Sequence, residues 1–305
     1  MPTYLKNRLG RALLGVAITA GAVTAVAPVA QAAPPAGSVV SPAPRAHVPA
    51  PSADAPAVLG RAAHVIDAKT GKVYFSKKAD LRVPVASITK VMTAYTVLKQ
   101  AKPTDVVEVT AKDVRYASRG GASVAYLRAG DRLTVEDLLY ALMLPSGADA
   151  AHALARTYGP GVDAFTAKMN ANARELAMKD TLYVNVDGMP AKGGGYSTAR
   201  DQVRLAQAAL NNQLIKKVGS TRHRSIPETA EHRAYSWRNT NRLLRTPGTI
   251  GLKTGFTRAA GYTLAFAADR DGRQLVGVLL GESSSSRRFE TAQALLDWAA
   301  TSRQP

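Results

Sequence analysis

Ser87-Ile-Thr-Lys90 sets a hydroxyl and an amine three residues apart, on one helical face and one turn from each other. A serine hydroxyl is a weak nucleophile and needs a base within reach. A lysine serves when burial or a neighbouring cation keeps part of it neutral. The spacing predicts Ser87 at a helix N-terminus, where free N–H groups and the positive dipole end favour developing anionic charge. Taken alone, Ser-x-x-Lys is expected about once by chance in a chain of this size, as a capped surface helix.

Two further groups follow in order. Lys253-Thr-Gly255 ends a β-prone run. A cation and a hydroxyl on a strand edge hold a carboxylate, and Gly255 lets a substrate approach the backbone. Lys69-Thr70-Gly71 repeats the same letters in a turn before the serine, and no chemistry is assigned to it. Ser146-Gly147-Ala148 breaks two helical stretches. By itself Ser146 reads as the N-cap of the second.

The order Ser-x-x-Lys, Ser-Gly-x, Lys-Thr-Gly, with the stretches around it, resembles the serine-type D-Ala-D-Ala carboxypeptidases, the low-molecular-mass penicillin-binding proteins. The likeness runs from about Ala63 to Trp298 and includes Val85-Ala-Ser-Ile-Thr-Lys-Val-Met-Thr93, Leu139-Tyr-Ala-Leu-Met-Leu-Pro-Ser-Gly147, Asn185-Val-Asp-Gly188, Tyr196-Ser-Thr-Ala-Arg-Asp201 and Asn239-Thr-Asn241. The resemblance implies that Ser87 attacks the carbonyl of the penultimate D-Ala and that Lys90 takes its proton. Ser146 and Lys253 would relay that proton to the leaving D-Ala. Thr254, with Lys253, would hold the terminal carboxylate, beside Gly255. The N–H groups of Ser87 and Phe256 would form the oxyanion hole, and Arg288 would add a carboxylate contact. β-Lactams would acylate the same serine as inhibitors. No metal or other cofactor is implied.

One residue departs from the pattern. The family usually has Asn after Ser-Gly, and here Ala148 stands in its place. Ala supplies neither the substrate nor the Lys90 hydrogen bond of that amide, a loss of order ~1–3 kcal/mol unless another group compensates. Asp149 does not substitute, since one helical residue turns the side chain by about 100°.

The elements that must position these residues can be read from the pattern. Ala63–Asp67 and Lys72–Ser76 are β-prone around turn chemistry, which predicts a hairpin. Helices are predicted from Ser87 to Lys99, from Thr134 with a capping-box-like Thr-x-x-Asp, over 148–156 and 164–177, and over 201–210 after a Ser197-Thr198 cap. Residues 105–110 read as a short strand. Residues 248–253, 261–266 and 274–280 read as strands, the last two a hairpin about Asp271-Gly272, and 287–300 as a closing helix. The predicted fold class is α+β: an antiparallel sheet built from both chain ends and covered by helical layers, of the β-lactamase/transpeptidase kind.

Composition fixes the setting. Lys6, Arg8 and Arg11 precede the apolar, small-residue run 12–30 and the Ala30-Gln31-Ala32 cleavage pattern, which reads as a secretory signal over 1–32. Residues 33–57 are rich in Pro and Ala and read as a flexible linker. Residues 58–305 are long enough for a sizeable core and are assigned to the catalytic domain. The formal charge is +18, and loss of the leader's three cations leaves +15. A basic exported domain is drawn to anionic cell-wall polymers. No nucleic-acid-binding motif accompanies the charge, and no nucleic-acid partner is expected. The chain has no cysteine, so neither disulfides nor thiolate chemistry is available. After Trp298 no second apolar run follows, and no transmembrane anchor is expected once the leader is cleaved. The expected protein is secreted and cell-wall associated, with peptidoglycan stem peptides as substrate.

Competing readings are a D,D-transpeptidase or endopeptidase on the same substrates, a weakly active or non-catalytic peptidoglycan binder because of Ala148, a polymer-binding protein driven by charge, and a β-lactamase. No Glu-x-x-Leu-Asn lies between the second and third motifs, which argues against the last. The basic run from Arg233 to Arg245, with Tyr235 and Trp237, fits either a polymer contact or a solvated face over two buried aromatics.

Overall fold

In the computed structural model, which describes residues 54–118 and 120–302, strands from both ends of the sequence meet in one sheet. Ala62–Asp67 (β1) pairs antiparallel with Val73–Lys77 (β2). Between them Asp67 Oδ1 accepts from the Lys69 and Thr70 N–H groups at 2.8 and 3.0 Å, so the first Lys-Thr-Gly is turn chemistry as expected. Thr249–Thr257 (β7), Gly261–Arg270 (β8) and Arg273–Glu282 (β9) complete the sheet, with order β2-β1-β9-β8-β7 and every neighbour antiparallel.

Both faces of this sheet are covered. Leu264, Phe266 and Ala268 of β8 pack with Leu295, Leu296 and Ala299 of the last helix, Arg287–Thr301 (α8). The alternate residues Ala265 and Ala267 join the larger core on the other side. That is why Leu264–Ala268 reads as a continuous apolar run. Ala55 packs against the α8 side as well, so packed chain begins slightly before residue 58. The expected signal at 1–32 and most of the linker at 33–57 lie outside the described residues.

The larger core is built by helices: Thr89–Leu98 (α1), Ala111–Ala117 (α2), Val135–Met143 (α3), Ala148–Tyr158 (α4), Val162–Glu175 (α5), Ala199–Leu210 (α6) and Gln213–Ser220 (α7). The threonine caps read from the sequence are present: Thr134 accepts from Asp137 N–H, and Thr198 from Asp201 N–H, each at 3.1 Å. A further capping box, Thr110 with Asp113, starts α2, which the sequence reading missed. Two small two-stranded sheets stand outside the main one, Val106–Glu108 (β3) with Arg132–Thr134 (β4), which flank α2 in sequence, and the hairpin His223–Ile226 (β5) with Tyr235–Arg238 (β6).

Burial extends round most of α1. Val91, Thr93, Ala94, Thr96 and Val97 are buried as well as Met92, because α1 touches α3, α4, α5, α6 and β7. Its polar side chains are satisfied inside: Thr93 Oγ1 donates to Val186 O at 2.6 Å, and Thr96 Oγ1 accepts from Asn172 at 2.8 Å. A lysine on this helix is therefore withdrawn from water. Among the described residues no helix is long and apolar enough to cross a membrane.

Candidate active site

Ser87 sits in a 3-10 turn, Ala86–Ile88, that leads into α1, rather than in the first α-helical turn that the spacing predicted. The preceding Ala86 has φ +53°, a left-handed conformation costly for a residue with a Cβ and typical of functional turns. The surroundings hold it there. Any Cβ on Gly188 would fall 2.0 Å from Ala86 O, and any Cβ on Gly255 would fall 2.9 Å from the Ser87 nitrogen. Two glycines thus let the 185–189 loop and β7 close on the Ser87 turn from separate directions.

Lys90 Nζ lies 3.2 Å from Ser87 Oγ and donates to Asp187 O at 2.9 Å. It is 1% exposed. Burial lowers its pKa from the ordinary lysine value, with the charges of Asp187 and Asp149 opposing the shift. Lys253 is equally buried, and its Nζ donates to Thr254 O at 3.0 Å. Burial first, then the positive charges of Lys90 and Arg288, push its pKa well down. Two ammonium groups that repel each other in a dry site favour a state in which at least one is neutral. That is the condition for lysine to act as a base.

Ser146 does not cap α4, contrary to the reading of that residue on its own. The cap position is Gly147, and no side-chain cap bond is present. Ser146 instead has φ +70°, and its Oγ is buried with no hydrogen-bond partner. A strained residue with an orphaned buried hydroxyl calls for a functional account, since a mere cap would satisfy both. Its turn is tied to the third motif: Leu144 O accepts from Thr240 N–H at 3.1 Å, and Thr240 Oγ1 is 2.6 Å from Thr254 Oγ1.

Arg288, placed by sequence across a loop, does reach the site. Its Nη1 donates to Gly255 O at 2.9 Å, and its guanidinium stands over the Tyr262 and Phe289 rings. Burial, then the charge of Arg242, lowers its pKa to about 10. Phe256 follows on β7 with its ring against Tyr262 at 4.4 Å and half exposed. Ser87, Lys90, Lys253, Thr254, Gly255 and Arg288 are thus drawn together along one edge of β7, with the Ser146 turn joined through Thr240.

Several residues that build the site carry no motif. Asp149 is 2% exposed and accepts from the N–H groups of Ala125, Leu127 and Ala150 at 3.0–3.1 Å. It organises the 125–127 segment and does not replace the missing amide, as the helical rotation required. Asp187 belongs to a closed loop: Asn185 Oδ1 accepts from the Asp187 and Gly188 N–H groups, and Asp187 Oδ1 accepts from Met189 N–H at 3.0 Å. The Tyr116 hydroxyl faces the Asp187 carboxylate, and its pKa is raised by burial and then by that charge. The Tyr116 ring packs on His152 at 4.5 Å, which pairs with Asp113 at 2.5 Å. Burial opposes ionisation of Asp113, but the bonds from His152 and Arg156 prevail and hold its pKa far down. This chain of contacts fixes the carbonyl that holds Lys90. The sequence marks it only through Asn185-Val-Asp-Gly188, because a carbonyl acceptor leaves no side-chain trace.

Residues 49–284 match the model of the D-alanyl-D-alanine carboxypeptidase peptidase family. The D-alanyl-D-alanine carboxypeptidase of Streptomyces sp. is 37% identical over 242 residues, covering 75% of this chain and 83% of that protein. The D-alanyl-D-alanine endopeptidase of Pseudomonas aeruginosa is 35% identical, covering 79% and 77%. The crystal structure of a Streptomyces DD-transpeptidase superposes with a TM-score of 0.76 at 34% identity, over 80% of this chain and 98% of that one.

Proposed function

The chain belongs to the D-alanyl-D-alanine carboxypeptidase family, and on that premise we propose that Ser87 is its acylated nucleophile and the terminal D-Ala of a peptidoglycan stem peptide its leaving group. It is a serine peptidase of the penicillin-binding-protein type. The observation that supports the assignment is the Ser87–Lys90 contact of 3.2 Å, made by a lysine that is itself buried.

In this reading Lys90 accepts the Ser87 proton as Oγ adds to the carbonyl of the penultimate D-Ala. The N–H groups of Ser87 and Phe256 receive the oxyanion. Lys253, Thr254 and Arg288 hold the carboxylate of the terminal D-Ala. Ser146, whose hydroxyl is otherwise unpartnered, passes the proton to the leaving nitrogen together with Lys253. Free D-Ala departs, and water then hydrolyses the ester of Ser87. A β-lactam presents a similar carboxylate and carbonyl and acylates the same oxygen.

The acceptor in the second step separates a carboxypeptidase from a transpeptidase or endopeptidase. A second reading, a weakly active or non-catalytic peptidoglycan binder, is favoured by Ala148. Against it stands Asp187 O, which accepts from Lys90 at 2.9 Å and holds it without a side chain from position 148. Release of D-Ala from a stem pentapeptide by wild type and Ser87→Ala protein, with and without an amine acceptor, tests the assignment. Release that survives Ser87→Ala would overturn it. We assign 58–305 to the catalytic domain, 1–32 to a cleaved secretory signal and 33–57 to a tether. We place the mature protein outside the membrane in the cell wall, where its positive charge favours anionic polymers as neighbours.

A further inference from the structure

We propose that a second site, beside the active site and distinct from it, binds the phosphodiester groups of an anionic wall polymer. A cavity of about 600 Å³ opens between the end of α7, the β5–β6 hairpin and the 3-10 turn Arg242–Arg245. Arg222, Arg238, Arg242 and Arg245 line it, with His223, and no acidic residue does. None of the four arginines takes part in an ion pair among the described residues, although eight other arginines do. Four unneutralised guanidinium groups around one concavity repel each other and favour an anion between them.

A second observation points the same way. Asn241 lines the cavity and is 2% exposed. Its Oδ1 accepts from Leu243 N–H at 3.1 Å, but its Nδ2 is buried without a partner. A buried, idle donor is rare in a folded protein, and here it borders a ring of cations. The carbonyls of the α7 end, which would repel an anion, are largely occupied: Asn239 Nδ2 donates to Gly219 O and Thr221 O, and Thr221 Oγ1 donates to Lys217 O.

The guanidinium fork matches phosphate oxygens two at a time. The cavity's size exceeds a single free phosphate and suits successive groups of a polymer. A bilayer surface fits less well. None of the exposed large apolar residues Leu59, Leu81, Val106, Tyr126, Leu182 and Phe256 lines the cavity, whereas a membrane-seated face carries such residues among its cations. The cavity also adjoins the catalytic edge. Thr240, one residue before Asn241, contacts Thr254, and Arg242 reaches Ser285, which Arg288 also contacts. A bound polymer would therefore hold the peptidase at its wall substrate.

The inference rests on the cell-wall reading for where the enzyme works, not on which residue is the nucleophile. Its test compares the full chain with Arg222→Gln/Arg238→Gln/Arg245→Gln and with a control of equal charge loss, Lys102→Gln/Lys112→Gln/Lys179→Gln. The probes are short poly(glycerol phosphate), inorganic phosphate as competitor, and phosphatidylglycerol vesicles. The arginine variant should bind the polymer about tenfold more weakly with a shallower salt dependence, and the control should lose less than about threefold. Inorganic phosphate should compete only weakly, and penicillin acylation should be unchanged in both variants. Equal losses in the two variants, no polymer binding by wild type, or arginine-dependent binding to vesicles in preference to the polymer would overturn the proposal. Loss of acylation without loss of polymer binding would count against the nucleophile assignment and not against this site.

Discussion

The Lys90 ammonium nitrogen lies 2.9 Å from the carbonyl oxygen of Asp187, a residue 97 positions later in the chain. The contact gives Lys90 a fixed anchor in addition to Ser87. It holds Lys90 without any side chain from position 148, which is Ala here.

Tyr116→Phe should test that anchor from its far end. The Tyr116 hydroxyl sits beside the Asp187 carboxylate, and losing a polar contact of this kind costs about 1 kcal/mol. The expected result is an acylation rate lowered about fivefold with KM little changed. A loss of thermal stability at an unchanged rate would mean that the loop does not position Lys90.

Restoring the amide tells the two halves of its role apart. In Ala148→Asn the lysine is already held by Asp187, so kcat for a D-Ala-D-Ala peptide should change less than about threefold, while KM falls as the substrate backbone gains a partner. Steady-state kinetics decide it. A rise in kcat of about tenfold or more would show that Lys90 is poorly held in the natural chain.

Acylation should follow the neutral form of Lys90. Burial lowers the pKa of this lysine, so its basic form is present at lower pH than for a free side chain. The penicillin acylation rate should rise with pH and level off with a midpoint below about 10.4, the ordinary lysine value. A midpoint at or above that value would exclude a buried lysine base.

Acid sensitivity of the fold has a named contributor. His64 is buried on β1, and burial, then the charge of Arg200, lowers its pKa from 6.5 to about 4, with Asp80 opposing. The unfolded chain therefore binds this proton more readily than the folded one between these values. Stability from His64 is full above pH 6.5 and is lost as pH falls toward 4, up to about 3 kcal/mol. Denaturant titrations of His64→Gln should show a flatter acid limb than wild type in that window. An identical slope would remove His64 from the account.

Much of this was legible in the residues. The hairpins at each end follow from apolar runs around Asp67–Gly71 and Asp271-Gly272, and the helix starts at Thr134 and Thr198 from their side-chain caps. Ser87, Lys90 and Lys253 are legible because the roles proposed for them belong to their side chains. The missed pieces have physical reasons. The 3-10 turn at Ser87 depends on Gly188 and Gly255 closing over it, contacts of long sequence separation. Ser146 has a cap's residue type but a left-handed backbone that composition does not reveal. The β5–β6 hairpin is short and strongly basic, so its alternation was hidden. Its Tyr235 and Trp237 are nevertheless buried, and Tyr235 bonds Asp131 while Trp237 bonds Ala125 O. Asp187 acts through its main chain, which any residue possesses.

The central claim is that Ser87 carries the acyl group with Lys90 as its base. The most direct measurement is the intact mass of wild type, Ser87→Ala and Lys90→Met protein during incubation with a labelled penicillin. The account predicts one drug-sized adduct on wild type, none on Ser87→Ala, and formation slowed about a thousandfold in Lys90→Met. An adduct that persists in Ser87→Ala, or one formed at the wild-type rate in Lys90→Met, would contradict it.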